Sequence, residues 1–347
     1  MKKLAGAMTE IMVMELGPDA VLDRLSDPFW FQCLGCVLGF DWHSSGVTTT
    51  TCGALKEGLR GKEHALGLYI GGGKGGASRK TPEQIMRYSE KAGTPGDKLV
   101  YASKLSAKVD SSAVQDGFQV YHHCFIFTNS GKWAVVQQGM NEESGWARRY
   151  HWLGTDVDDF VCEPHKAICS DGKGDVLNMV ARESSDSRKT TAEMSRMHPD
   201  KLLAELAMAG MKAPLLHMPG RHGILTEDIN PKRMQNTFIR TFERQPEDFE
   251  TLLGMPGVGA KTIRALSLVG ELLYGAKPSF RDPARFSFAH GGKDGIPYPV
   301  DRRTYDTTAA ILEKALNEAK VENGEKLKAL RRMAAFLEVP AGHRQLH

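Results

Sequence analysis

The chain has 347 residues, of which 41% are hydrophobic and 25% charged, and its formal net charge is +3. Those proportions are ordinary for a soluble globular protein, and the length suits two domains rather than one. Apolar stretches are interrupted by charges well before membrane-spanning length, and mild basicity permits a nucleic-acid partner without demonstrating one.

The N-terminal stretch MKKLAGAMTEIMVMELG carries two lysines but no long apolar run and no cleavage-like site, so no secretory leader is expected. Cys33, Cys36, Cys52, Cys124, Cys162 and Cys169 show no disulfide-framework spacing, which points to a cytoplasmic protein with reduced thiols. Gly17-Pro18-Asp19 starts a helix, and an apolar, aromatic segment runs from Phe29 to Phe40. A further helix is expected over Thr49 to Leu59. His64 to Ile70 alternates like a strand and runs into a glycine loop, Gly71 to Gly76. Thr81-Pro82-Glu83-Gln84 has the form of a helix start, with Thr81 as cap and Gln84 closing a capping box. Phe118 to Phe127, the turn Asn129-Ser130-Gly131 and the return Lys132 to Gln138 form the clearest β-hairpin.

The polar stretch Glu183 to Thr190 suggests an exposed helix end or linker. From His198 to Tyr274 nearly everything fits a 3.6-residue period, and two closing helices are expected over Glu313 to Val321 and Glu325 to Leu337. The predicted fold class is therefore α+β. A mixed domain with a hairpin-containing antiparallel sheet covers residues 1–195, and an all-helical domain covers 196–347.

The most specific local signal lies in the second half. A short helix ending at Leu253 is followed by the tight loop Gly254-Met255-Pro256-Gly257-Val258-Gly259 and a second helix from Ala260 to Tyr274. Glycines accept backbone angles barred to other residues and let a phosphate approach the amides at the second helix's N-terminus. This is the pattern of a helix-hairpin-helix element, which grips the DNA backbone without reading its sequence. Gly254, Pro256, Gly257, Gly259, Lys261, Thr262 and Arg264 are its expected DNA-binding residues. Lys261 and Arg264 lie three apart, so they share one helix face near the hairpin mouth, while Ile263, Leu266, Val269, Leu272 and Leu273 form the core stripe.

The stretch Leu253 to Thr262 resembles the hairpin of endonuclease III-like DNA glycosylases. That resemblance implies that Lys261 attacks the sugar as a nucleophile, forms a Schiff base and cleaves the strand, with a downstream aspartate assisting. Asp282 lies 21 residues after Lys261 and suits the family's loop length; Asp301, in Tyr298-Pro299-Val300-Asp301-Arg302, matches its local motif but lies 40 residues on. The chain carries no C-terminal cysteine cluster resembling the iron–sulfur loop of some members.

Over nearly its whole length the chain also resembles the archaeal and bacterial domain of unknown function 763 family. Asp27-Pro28-Phe29-Trp30-Phe31-Gln32, Gly39 to Gly46, Trp133 to Asn141 and Phe286 to Gly295 carry this likeness. It implies that the two halves belong together, and that a Gly- and His-containing segment precedes Met1 in the family.

In the first half, Asp41, His43, Asp110, one of His122 and His123, and Glu142 form an alternative catalytic set: a Mg²⁺ or Mn²⁺ site for phosphodiester hydrolysis. His122 and His123 are expected mid-strand on opposite faces. Gln115 and Asp116 are polar residues that a bland core would not need. Lys74, Arg79 and Lys80 make the glycine loop basic, and Trp146, Arg148, Arg149, Tyr150 and Trp152 interleave bases with aromatics as nucleic-acid surfaces do. Cys33-Leu34-Gly35-Cys36 has the spacing of half a zinc site, with Cys162, His165 and Cys169 as the other half. It sits in an apolar segment where free thiols are common. Three functions stay open: a DNA glycosylase or lyase, a metal-dependent nuclease, and a non-catalytic repair accessory. All three have DNA as partner, and only the nuclease implies a metal.

Overall fold

The aromatic and β-branched runs pair into a five-stranded antiparallel sheet of order β1-β3-β4-β5-β6, in a computed structural model that describes residues 1–40, 46–170, 172–212, 231–285 and 302–337. The strands are β1 (Leu68–Lys74), β3 (Gln119–Thr128), β4 (Trp133–Met140), β5 (Ala147–Leu153) and β6 (Ala167–Ser170). A small second pair joins β2 (Val114–Gln115) to β7 (Leu177–Asn178). The expected hairpin is β3–β4, closed where Thr128 N–H donates to the Lys132 carbonyl at 3.0 Å.

Helices cover both faces of the sheet. On one face lie α1 (Lys2–Leu16), α2 (Pro18–Ser26), α3 (Pro28–Leu38) and α4 (Val47–Gly58), followed by the single turn α5 (Glu63–Leu66). Asp27 starts α3 by accepting the Trp30 amide at 2.8 Å. On the other face lie α6 (Thr81–Ala92), α7 (Gly96–Lys108), α8 (Ser185–Ser195), α9 (Pro199–Lys212), α10 (Pro231–Arg244), α11 (Phe249–Gly254) and α12 (Ala260–Tyr274). The chain closes with α13 (Arg302–Glu318) and α14 (Asn323–Leu337). Among the described residues no helix is long and apolar enough to cross a membrane.

The strand period of two sorts the sheet into two cores. Ile70, Cys124, Ile126, Ala134 and Val136 pack under α1 to α4, and Leu312, Leu316 and Met333 of α13 and α14 join them. Tyr69, Phe125, Phe127, Val135 and Trp152 face the other way, against Leu99, Leu105, Leu252, Val258, Ile263 and Leu266. Each core therefore mixes residues from before and after position 195. Of the two readings of the polar stretch Glu183 to Thr190, the structure takes the helix end: α8 starts at Ser185, and Glu183, Ser185, Asp186 and Lys189 are exposed. Ser187 and Arg188 are buried, and Arg188 Nη1 donates to the carbonyls of Met179 and Ala181, both at 2.7 Å, so a buried arginine there is satisfied by carbonyls.

Three local expectations change, the first being that the strand expected from His64 begins only at Leu68, because Glu63–Leu66 close into the turn α5. The strand continues through Gly71 to Gly73 as part of β1 rather than stopping in a loop. Glycine is required at 72, where an added Cβ would lie 2.0 Å from the His123 carbonyl oxygen. Nor does the capping box at Thr81 form. Thr81 is the first helical residue and its hydroxyl donates to the Ser78 carbonyl at 2.6 Å, while Gln84 Oε1 accepts from the Gly72 amide at 2.9 Å and from Lys56 Nζ at 2.8 Å. A tertiary partner took the glutamine from its own helix.

Candidate functional site

The second-half hairpin forms as helix, tight loop and helix. Asp248 caps α11 by accepting the Thr251 amide at 2.8 Å. In the loop, Met255 and Val258 are buried and join the core, whereas Gly254, Pro256 and Gly257 are exposed. The buried Met255 and Val258 anchor the loop, and the Val258 N–H donates to the Met255 carbonyl at 3.2 Å across it. Gly257 has φ +90, a conformation that disfavours any side chain. Gly259 precedes α12 and no side chain caps that helix. Its first-turn amides lack intrahelical acceptors and carry the positive end of the helix dipole. Lys261 is exposed on this turn.

Two expected contacts sit elsewhere. Thr262 is buried, and so is Arg264, whose Nη1 donates to Gln115 Oε1 at 2.8 Å. Arg264 therefore does not share Lys261's open exposure. The sequence puts both on one helix face, but only the fold shows that residues 109–118 cover the second turn.

That segment, from Lys108 to Phe118, is the mount for the hairpin. Lys108 Nζ donates to the Val258 carbonyl, and burial lowers the ammonium's pKa. A π-helical turn spans Val109–Ala113, putting Asp110 inward and Ser111 outward. Gln115 Nε2 donates to the Ala260 carbonyl at 2.8 Å while its oxygen holds Arg264. Next, Asp116 accepts from Arg148 Nη1 at 2.9 Å and from the Tyr150 hydroxyl at 2.6 Å. Between the mount, the start of β3 and α12 lies an open cleft of about 420 Å³ lined by Ser111, Phe118, Gln119, Val120, Ala260, Lys261 and Arg264.

Asp282 lies behind one wall of this cleft. Arg148 stacks over Phe118 with 4.4 Å from its guanidinium carbon to the ring centre, and its Nη2 donates to Asp282 Oδ2 at 2.8 Å. Asp282 also accepts the Gly174 amide at 3.0 Å and the Ala284 amide at 2.8 Å. Both of its oxygens are thus engaged in fastening the segment after α12. Arg148 is 1% exposed. Burial works against its charge, but the carboxylates of Asp116 and Asp282 with Tyr150 outweigh it and hold the guanidinium above its ordinary pKa. The rival Asp301 lies outside the described residues, as do Asp41 and His43.

The remaining first-half candidates separate. Asp110 and His123 belong to one buried chain of hydrogen bonds. Ser103 Oγ meets His123 Nε2 at 2.8 Å, and His123 Nδ1 meets Gln137 Oε1 at 2.8 Å. Gln137 then donates to Asp110 Oδ2, which also accepts from Trp152 Nε1 at 3.0 Å. The other oxygen of Asp110 is 2.5 Å from His165 Nε2. His122 points to the opposite face, as the strand period requires, and among the described residues neither ring nitrogen has a hydrogen-bond partner. Burial, then His123, Lys56 and Lys74, lower its pKa to about 4. Glu142 is exposed on the turn after β4. Among the described residues, no three His, Cys, Asp or Glu side chains gather as metal ligands. All six cysteines are free, and Cys33 and Cys36 are buried within α3.

The interleaved bases and aromatics of β5 are interior. Arg148, Tyr150 and Trp152 point to one face and Arg149 to the other, all buried; only Trp146 is exposed. Arg149 donates to Gln32 Oε1 at 2.9 Å, and burial lowers its pKa to about 10. Sequence reasoning missed Arg240 and Thr237 of α10. A side chain at Gly257 would begin 3.5 Å from Arg240 Nη1 and 3.6 Å from Thr237 Oγ1, so α10 supplies an exposed cation beside the loop. The amphipathic pattern of α10 could have placed Arg240 on a solvent face, but not next to Gly257.

The sequence model described as "Protein of unknown function (DUF763)" matches residues 1–300. The chain belongs to that family. Its match begins at Met1 and runs past the hairpin and Asp282, so the mount and the hairpin it carries fall within one family unit. No curated protein and no solved structure matches the chain.

Proposed function

We propose that this protein binds DNA through the loop Gly254–Gly259 and the N-terminus of α12, and that it acts in DNA repair or processing. The uncapped N-terminus of a long helix carries the reading. It is presented by exposed Gly254, Pro256 and Gly257, held by buried Met255 and Val258, and flanked by the exposed cations Lys261 and Arg240. Backbone amides and cations in this arrangement suit a phosphate and carry no means of reading a base, so binding is independent of sequence. Fluorescence anisotropy on a labelled duplex tests this. Affinity should fall steeply with salt, and Gly257→Val should abolish it while the protein stays folded. Equal affinity in wild type and variant would sink the reading.

A second reading is favoured by one observation: Lys261 lines a cleft of about 420 Å³, beside Arg264 and Phe118. In an abasic-site lyase, the lysine amine adds to the sugar aldehyde, loses water to form the Schiff base, and then expels the 3′ phosphate by elimination. Asp282 is engaged by Arg148, so an aspartate assistant on this reading would have to be Asp301. Borohydride trapping on abasic DNA tests it: an adduct that disappears in Lys261→Ala supports the lyase, and no adduct with wild type removes it.

A further inference from the structure

Lys74, Arg79 and Lys80 make the glycine-rich stretch after Ile70 basic, and the proposed hairpin contact leaves them unused. In the fold they sit at the end of β1 and on the 3-10 turn Gly75–Lys80, all exposed. β1 is the neighbour of β3 and pairs with it in register, Lys74 opposite His122. The start of β3 is the wall of the cleft: Phe118, Gln119 and Val120 line it, facing Lys261 and Arg264. The next residue, Tyr121, carries Lys74 over its ring, with Nζ 5.5 Å from the ring centre. Its hydroxyl is fixed by Gln138 Nε2 at 2.8 Å. At this end of the sheet, the path from the cleft wall at Val120 to the next residue, Tyr121, leads to Lys74 and the basic turn on the neighbouring strand.

The charge along this path is organised. Lys56 donates to the Gly72 carbonyl at 2.6 Å and to Gln84 Oε1, tying the base of the turn to α4 and α6. Among the described residues, no carboxylate forms a salt bridge with Lys74, Arg79 or Lys80. Buried His122 lies among the same cations, and its lowered pKa owes part to Lys56 and Lys74. On the other side of β3, the turn between β4 and β5 carries exposed Glu142 and Glu143. A polyanion leaving the cleft is thus repelled on the β4 side and attracted on the β1 side.

We propose that the Lys74–Lys80 turn is a second phosphate-backbone site, which holds the DNA gripped by the hairpin where it emerges from the far side of the cleft. The inference rests on the DNA-binding reading of the hairpin and extends its footprint across the sheet end. Tyr121 supplies a ring beside the path, and the turn supplies three cations.

The test measures affinity for a labelled duplex as a function of salt. It uses the full chain and the triple variant Lys74→Ala/Arg79→Ala/Lys80→Ala. A control triple, Lys320→Ala/Lys328→Ala/Arg331→Ala, removes equal charge from the α13–α14 region, which packs under the opposite core. Each phosphate contact contributes about 0.9 to the slope of log affinity against log salt, so the loop triple should lower the slope by about 2 to 3 and the affinity on the order of tenfold or more. The control should change neither by a comparable amount. If the loop triple matches wild type while Gly257→Val abolishes binding, the second site is refuted and the hairpin reading stands. Equal losses in both triples would refute it too, since net charge alone would explain them. If wild type binds no DNA, both readings fall.

Discussion

The hairpin around Gly257 and the polar row across the sheet are both rich in groups that hydrophobic packing does not need, yet they hold them in opposite states. In the hairpin, α12 starts with no side-chain cap, and the exposed Lys261 and Arg240 stand alongside. In the sheet, Asp110, His123, Gln137 and Arg148 are buried and joined in closed networks. A buried polar group must find a partner inside the protein, and once found, that partner is no longer offered to a ligand. The contrast teaches that the row builds the mount and the hairpin meets the partner. Among the described residues, His122 and His151 are buried with no hydrogen-bond partner on either ring nitrogen, so the sheet interior also holds imidazoles that the networks leave out.

Several experiments can break or sharpen this contrast. The largest effect is expected at Arg148. Arg148→Met strands the carboxylates of Asp116 and Asp282 in the interior, and thermal or urea unfolding should show a loss of about 3 to 5 kcal/mol. A loss below about 1 kcal/mol would mean that the clamp is no part of the scaffold.

Acid comes next. Burial lowers the pKa of His122 to about 4, and it also lowers those of His123 and His151. The unfolded chain then binds protons that the folded chain refuses. Stability is fully present above about pH 6.5 and is lost as pH falls toward 4, by about 3 kcal/mol for His122 alone. His122→Phe should flatten the unfolding midpoint between pH 6.5 and 4 relative to wild type; an unchanged pH profile would contradict this account.

Gly257→Val is expected to strain the loop by about 1 to 2 kcal/mol, a modest loss of stability set against complete loss of DNA binding. The smallest structural effect belongs to Lys261→Ala, which should leave unfolding within about 0.5 kcal/mol of wild type. Its salt slope for DNA should fall by about 1. A Lys261 variant as unstable as the Arg148 variant would erase the distinction between interface and mount.

Much was legible from local pattern. The β3–β4 hairpin, the start of α2, and α9 through α12 follow from alternation, proline and glycine signals, and a sustained helical period, each satisfied within a few residues of chain. The loop Gly254–Gly259 belongs with them, because its glycines and its two buried apolar anchors form one short unit. Other features gave no such signal. Nothing near Gln115 announces that it grips Ala260 and Arg264, since that contact joins positions about 150 residues apart. Arg148 and Arg149 look like a surface pair in the sequence, yet strand alternation sends them to opposite cores.

The sequence by itself determined the helix-rich, mixed character, the antiparallel hairpin, and a glycine loop whose exposed backbone opens a long helix. Those are short-range matters of backbone freedom and hydrophobic period. Only the tertiary structure decided that Arg264 is held inward while Lys261 is exposed, that Asp282 is engaged by Arg148, and that Lys74 lies over Tyr121, next along β3 from the cleft wall. Which polar groups are satisfied and which stay exposed depends on partners that only folding brings together.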